Sequence, residues 1–254
     1  MNYIIAIPSY KRAKILKEKT LAFLKKHSIP REHIEIFVES EEMKKNYEKI
    51  IGPYTFVITH AKGIGATRNF LRYYYKYETH HTNVLYIDDD IEELNDYDSP
   101  IQDLHRFIKE AFVITKSAKL NLWGVSPFHN TFYLKDSITT TLKYICGCFC
   151  GEIIARDKHD IYTDVDHGED FQFSMEHFIR DGGVLRFNKI AIVTKYFEEE
   201  GGICGSVGGL KNRQKTMEEN CKYLVDRYSG MCRLIEKKYG YDIRLNHRYK
   251  NNID

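Results

Sequence analysis

Short, unbroken apolar runs alternate with stretches of helical periodicity over the first half of the chain. Tyr3–Ile7 predicts a buried strand, stopped by Pro8-Ser9-Tyr10. Ala13–His27 predicts a basic amphipathic helix with Leu16, Thr20 and Leu24 on one face. Ile34–Val38 and Thr55–Ile58 predict strands, with Glu41–Ile51 a helix between them. Gly63-Ile64-Gly65 opens a helix to about Tyr77. Val84–Ile87 predicts a strand that stops at Asp88-Asp89-Asp90. Gln102–Leu120 carries Leu104, Phe107, Ile108, Ala111 and Thr115 on one helical stripe, and Leu122–Val125 returns to strand. This alternation predicts an α/β fold with a mostly parallel sheet flanked by helices.

The second half is less regular. Lys143–Ile154 predicts a bent strand or a strand pair, Glu169–Arg180 a helix, and Val184–Phe187 and Lys189–Thr194 short strands. Gly201–Gly209 predicts a glycine-rich loop, and Lys211–Lys238 a mostly helical segment before a polar, basic tail. Residues 1–200 are expected to form one domain, with 201–254 a loop and helical extension packed on it.

With 254 residues, 43% hydrophobic and 29% charged, the chain suits one packed domain with a short appendage and excludes wholesale disorder. The first ten residues lack a signal peptide's basic start and apolar length, and no run approaches the roughly 20 apolar residues that span a bilayer. A soluble, cytoplasmic protein is expected. Cys146, Cys148 and Cys150 alternate, which on a strand points them to one face; the spacing suits small buried thiols better than zinc. Net charge is +2, but residues 1–50 carry 11 Lys/Arg against 7 Asp/Glu and residues 201–254 carry 11 against 6. Basic ends around an acidic centre suit either solvated helix faces or a metal site bordered by surfaces that meet a polyanion.

Three clustered carboxylates after a buried strand repel one another unless something compensates. Alternation puts Asp88 and Asp90 on one side, where their hard oxygens suit Mg²⁺ or Mn²⁺. Such an ion would stabilise a leaving diphosphate. Asp166-His167-Gly168-Glu169-Asp170 opens a helix, so Glu169 and Asp170 either cap it or supply a general base. Gly63–Gly65 offers free amides to a phosphate, with Arg68 and Asn69 on the next turn, or is a plain helix start. Lys211 and Arg213 follow the glycine-rich loop and could grip a diphosphate beneath a closing lid; a flexible connection is the other reading.

In order, Ile5-Ala6-Ile7-Pro8-Ser9-Tyr10-Lys11-Arg12, Gly65-Ala66-Thr67-Arg68-Asn69, Tyr86-Ile87-Asp88-Asp89-Asp90, Cys146-Gly147, Gly151-Glu152-Ile153-Ile154-Ala155-Arg156, Gly168-Glu169-Asp170 and Gly182-Gly183 resemble the inverting GT-A-fold glycosyltransferases over residues 3–195. The resemblance implies a GT-A-like, Rossmann-type sheet. It implies a nucleoside diphosphate sugar donor, such as a UDP-sugar, lined by Pro8, Ser9, Tyr10, Arg12, Arg68, Asp88 and Asp89. It implies Asp90 and Asp88 as ligands of Mn²⁺ or Mg²⁺, with His247 as a further ligand from the C-terminal part. Gly147 and Cys148 would floor the acceptor site, and Asp170 would be the base.

Within that fold the chain is most similar to the TET-associated, base J type glycosyltransferases of phages, other viruses and some eukaryotes. That likeness implies hydroxymethylated pyrimidines in DNA as acceptor. Tyr73-Tyr74-Tyr75 could stack on bases or belong to the core. The alternatives are a glycosyltransferase acting on a carbohydrate, lipid or protein, a nucleotidyltransferase of the same fold, and a binding module without turnover.

Overall fold

The computed structural model describes residues 2–194, 210–237 and 240–250, without the side chains of 210–214. The glycine-rich loop Gly201–Gly209 and the side chains of Lys211 and Arg213 lie outside the described residues.

The chain runs β1 (Ile4–Pro8), α1 (Ala13–Glu18), α2 (Thr20–Lys26), β2 (Ile34–Val38), α3 (Glu41–Ile51), β3 (Thr55–Ile58), α4 (Ile64–Tyr73), β4 (Asn83–Ile87), β5 (Glu93–Asp96), β6 (Ser99–Pro100), α5 (Leu104–Ser117), β7 (Leu122–Ser126), β8 (Ile138–Thr139), β9 (Phe149–Ile153), α6 (Glu169–Asp181), β10 (Leu185–Val193), α7 (Leu210–Arg227), β11 (Cys232–Lys237) and β12 (Gly240–Leu245). Short 3-10 turns and a π-helical turn at Tyr74–Glu78 complete the described elements.

The strands are apolar on both sides because both faces of the sheet are covered. Ile5, Ile7, Leu85 and Ile87 pack with Leu16, Leu24, Tyr47 and Phe112 from α1, α2, α3 and α5. The alternate residues Ile4, Ala6, Val84 and Tyr86 pack with Leu71, Met175, Phe178 and Leu224 from α4, α6 and α7. The sheet order is β3-β2-β1-β4-β9-β7-β10-β5-β6, with β8 on β10. Strands β3, β2, β1 and β4 are parallel, and β9 runs antiparallel between β4 and β7. The chain therefore leaves β1 towards β2, then returns to the other side of β1 as β4. At such a switch point the carboxyl ends of the two strands diverge and open a crevice for ligands. Ser9 follows β1 there, and Asp88 follows β4.

Four expectations are corrected. The Ala13–His27 helix breaks at Lys19, whose backbone leaves the helical region, so that the fully buried Thr20 can hold the aspartate turn. The two strands expected over 184–194 are one strand, β10, with a register shift between Phe187 and Ala191. Of Lys143–Ile154 only Phe149–Ile153 is strand; Ile145 instead lies over Gly124, where a Cβ would collide with it. The expected C-terminal helix stops at Arg227, and Gly230 in the left-handed region turns the chain into a β11–β12 hairpin.

Candidate functional site

The Asp88–Asp90 turn is pinned by its backbone. Asp88 N donates to Cys148 O (3.0 Å) on the strand beside it. Thr20 Oγ1 donates to Asp88 O (2.7 Å) and accepts from Ile91 N (2.9 Å), and Thr194 Oγ1 donates to Asp90 O (3.0 Å). Two arginines supply the positive charge that three adjacent carboxylates demand. Arg12 bridges Asp89 (2.9 Å) and Asp90 (2.8 Å), and Arg68 reaches Asp88 (3.2 Å).

The three side chains differ in access. Asp89 is only 5% exposed, against 31% for Asp88 and 20% for Asp90. Asp89 turns inward, taking Ser9 Oγ at 2.5 Å, and Ser9 is in turn bonded to the Tyr47 hydroxyl (2.8 Å). Ser9, Arg12 and Asp89, all implied to line the donor, thus brace one another. Pro8 ends β1, and Tyr10 stands at the surface beside them. Burial pushes the Asp88 carboxyl up to about 6 and Asp89 up to about 7, against the opposing pull of Arg68 and Arg12 respectively.

Helix α6 brings the second pair of carboxylates to the same place. Gly168, at φ 80°, starts it, and neither Glu169 nor Asp170 makes a capping bond to the helix amides beyond its neighbour. Glu169 is buried and salt-bridged to Arg68 (2.6 Å), which also holds Asp88. Burial drives the Glu169 carboxyl up to about 8, opposed by Arg68 and reinforced by Asp170. Burial alone would lower Arg68, but Glu169, Asp88 and Asp170 outweigh it and keep the guanidinium charged. Asp88, Glu169 and Asp170 therefore converge on one arginine, with Asp90 in the same turn as Asp88. Asp170 Oδ2 accepts from the Tyr144 hydroxyl (2.5 Å) and from Gly147 N (3.4 Å), and its Oδ1 accepts from Phe171 N (3.1 Å).

Gly147 lies against Arg68, where a Cβ would overlap the guanidinium. Cys148 is buried, and its sulfur is bonded to that of Cys146, a pairing the spacing did not suggest; Cys150 is a buried thiol. The Gly63–Gly65 amides are not open to a phosphate. Gly65 N donates to Asp166 Oδ1 (3.1 Å), and Asn69 is spent on Thr163. Of the three tyrosines, Tyr75 is core and bonds Glu35 (2.7 Å), while Tyr73 is exposed.

His247 sits apart from the aspartates. Its Nδ1 bonds Leu142 O (2.8 Å), and loss of solvent together with nearby Lys143, Arg186 and Arg244 lowers its pKa. Three cations around it favour an anion there rather than a metal ion. Among the described residues no group of three His, Cys, Asp or Glu side chains forms a ready metal site. The residues nonetheless fit a hard divalent ion. Asp88 Oδ2 and Asp90 Oδ1 make no hydrogen bond among the described residues, while their partner oxygens are held by arginine. Two free carboxylate oxygens leave the remaining octahedral positions to a diphosphate and water. Sequence reasoning missed Thr20, Thr194, Tyr144 and Asp166; no local motif marks any of them.

No helix of the described residues is long and apolar enough to cross a membrane. No family model and no curated protein matches the chain. Solved structures do. S. aureus TarS in complex with UDP-GlcNAc superposes with a TM-score of 0.52 at 15% identity, covering 89% of this chain and 67% of that one. TarS 1-349 alone gives 0.50 at 15% identity, over 89% and 66%. The mannosyltransferase PcManGT from Pyrobaculum calidifontis, in complex with GDP-Man and Mn²⁺, gives 0.53 at 12% identity, over 88% and 64%. The chain spans about two thirds of the length of these proteins. The likeness is one of fold: this chain has a GT-A-like α/β architecture, a mostly parallel sheet flanked by helices.

Proposed function

We propose that the protein is a metal-dependent, inverting glycosyltransferase that moves a sugar from a nucleoside diphosphate donor to a hydroxyl. The carrying observation is that the Asp88–Asp90 turn and the α6 carboxylates meet at Arg68, at the switch point of the sheet. The superposed structures hold UDP-GlcNAc in one case and GDP-Man with Mn²⁺ in the other, which supports a nucleotide sugar as donor and a UDP-sugar as the first to test.

Asp90 and Asp88 would hold Mn²⁺ or Mg²⁺ through their free oxygens, and the bound ion supplies Lewis-acid stabilisation to the leaving diphosphate. Asp170 is the base. Tyr144 and Gly147 fix its Oδ2, and Oδ1 keeps a lone pair for the acceptor hydroxyl. As that proton passes to Asp170, the acceptor oxygen forms its bond to the anomeric carbon, the bond to the diphosphate oxygen breaks on the opposite side, and the configuration inverts. Glu169, buried and paired to Arg68, orients the guanidinium instead of taking the proton. The acceptor of this reading is a hydroxymethylated pyrimidine in DNA, in the cytoplasm.

The test is thermal shift and transfer with a set of nucleotide sugars, with and without Mn²⁺. Donor binding raises the melting temperature by mass action. Asp90→Ala is expected to abolish the Mn²⁺-dependent shift. Asp170→Asn is expected to keep the shift and to cut transfer about 10²-fold or more, as loss of a general base does. Full transfer by Asp170→Asn would reject that assignment and favour a nucleotidyltransferase, which needs no such base.

A further inference from the structure

The part-buried cations of this protein find carboxylates almost everywhere. Arg12 has Asp89 and Asp90, Arg68 has Glu169 and Asp88, Lys158 and Arg180 share Asp181, and Lys76 has Asp160. Lys143 and Arg186 have none. Arg186, on β10, donates Nε to Asn188 Oδ1 (2.8 Å) and Nη1 to the carbonyl of Tyr144 (3.4 Å), and its Nη2 has no partner among the described residues. Lys143 Nζ has none either. Burial lowers the pKa of both, and Arg186 and Lys135 lower Lys143 further, with no carboxylate acting on either group. Arg244 joins them around His247, and within the β11–β12 hairpin it stands opposite Arg233, another like charge. Like charges brought together out of water oppose folding unless an opposite charge arrives.

The location says which substrate brings that charge. Asp170 is reached from two directions. Arg68 joins it to Asp88 and Asp90, where the donor diphosphate is placed in our reading. Tyr144 joins it to Lys143, its chain neighbour, and to Arg186, which holds the Tyr144 carbonyl. The cations therefore lie one tyrosine from the base, on its acceptor route. Lys135 continues the line to Tyr133 and Phe132, whose rings are 68% and 84% exposed and pack edge to face. These rings follow β7, which runs parallel to β10 and, through two antiparallel neighbours, in the direction of β4, so they rise from the edge of the sheet that carries the aspartates.

We infer that Lys143, Arg186, Lys135 and Arg244 form a binding track for the phosphates of the acceptor, leading to Asp170. The track deepens the proposed glycosyl transfer and rests on it for Asp170 as the point of delivery. A phosphodiester chain would lay consecutive phosphates along the four cations. Phe132 and Tyr133 at its outer end would receive planar groups, the interleaving of cations and rings that single strands use.

The test uses the full-length protein, a fluorescent single-stranded oligodeoxynucleotide as probe and inorganic polyphosphate as competitor. The wild type is expected to bind the probe with a strong salt dependence, and polyphosphate, which has phosphates but no bases, is expected to displace it. The double variant Lys143→Gln, Arg186→Gln is expected to bind about tenfold or more weakly, with a log–log salt slope smaller by about 2, one per lost phosphate contact. Its melting temperature is expected to equal or exceed the wild type's, because like charges have been removed. Its Mn²⁺-dependent shift with the donor is expected to be unchanged. Unaltered affinity and slope in the variant, failure of polyphosphate to compete, or a marked fall in melting temperature would each overturn the track. Loss of the donor shift in the wild type itself would strike the transferase reading and leave the track standing.

Discussion

At the scale of single residues the site turns on Arg68 and the glycine beneath it. Arg68 holds Asp88 and Glu169 at once only because nothing projects from Gly147. Gly147→Ala must push the guanidinium off one carboxylate or both. A shift of about 1 Å in a positioning group costs about 10²-fold in rate, so transfer is expected to fall by that factor. Overpacking should cost about 1–3 kcal/mol of stability, seen as a lower melting temperature. An alanine variant with undiminished transfer would show that Arg68 need not sit there. Gly147 was legible in the sequence as part of a Cys-Gly-Cys run, but its role was not, because the side chain it accommodates comes from a distant helix. The same limit applies to Glu169 and Asp170. Adjacent carboxylates look alike in a sequence, and only burial against Arg68 on one side and the Tyr144 hydroxyl on the other tells them apart.

At the scale of elements, legibility followed how much of the local pattern was owed to local physics. Helix α3 and strands β2 and β3 have the bounds the pattern predicts. Ser40 caps α3 through Met43 N, Gly52 at φ 80° ends it, and Met43, Tyr47 and Ile51 make one buried stripe. The α1–α2 break and the Ile145 crossing answer to distant partners, Asp88 and Gly124, and leave no periodic trace. The β11–β12 hairpin was hidden because Glu236, Lys237 and Lys238 also suit a helix. Helix α6 carries a test of its own at the end away from Asp170. Asp181, with a side chain 0% exposed, takes bonds from His177 (3.1 Å), Arg180 (2.9 Å) and Lys158 (2.7 Å). Burial would raise its pKa, but the bonds from His177 and Arg180 prevail and hold it well below the ordinary value of 3.8. A carboxylate depressed in the folded state stabilises above its unfolded pKa and loses that contribution as pH falls below it. Asp181→Asn, which strands the three donors, is therefore expected to cost about 3 kcal/mol at neutral pH. The gap between the two proteins should close progressively as pH drops below about 4. Urea titrations across that range would measure it; a gap as wide at pH 3 as at pH 7 would refute the pairing.

At the scale of the whole molecule, the two faces of the sheet divide the work. One face, under α1, α2, α3 and α5, is almost purely apolar and keeps the strands aligned. The other face, under α4 and α6, brings Arg68, Glu169 and Asp170 to the switch point, and the C-terminal segment closes it. Leu224, Tyr228, Met231, Cys232, Ile243 and Leu245 are all buried in the same cluster as Met175 and Phe178 of α6. The C-terminal segment is thus expected to be inseparable from the catalytic domain and not an appended module. The magnitudes support this. Burying a side chain of this size contributes about 1.5–3 kcal/mol, so Met231, Ile243 and Leu245 together contribute about 5–9 kcal/mol, against a total stability of about 5–15 kcal/mol for a domain. A chain ended after Tyr228 should therefore lose cooperative unfolding, bind an apolar dye through the uncovered flank of α6, and lose the donor-induced shift as Glu169 and Asp170 lose their anchorage. If the truncated chain instead melts cooperatively within about 2 °C of the full one, a change of well under 1 kcal/mol, the hairpin is an accessory and α6 stands on the sheet alone.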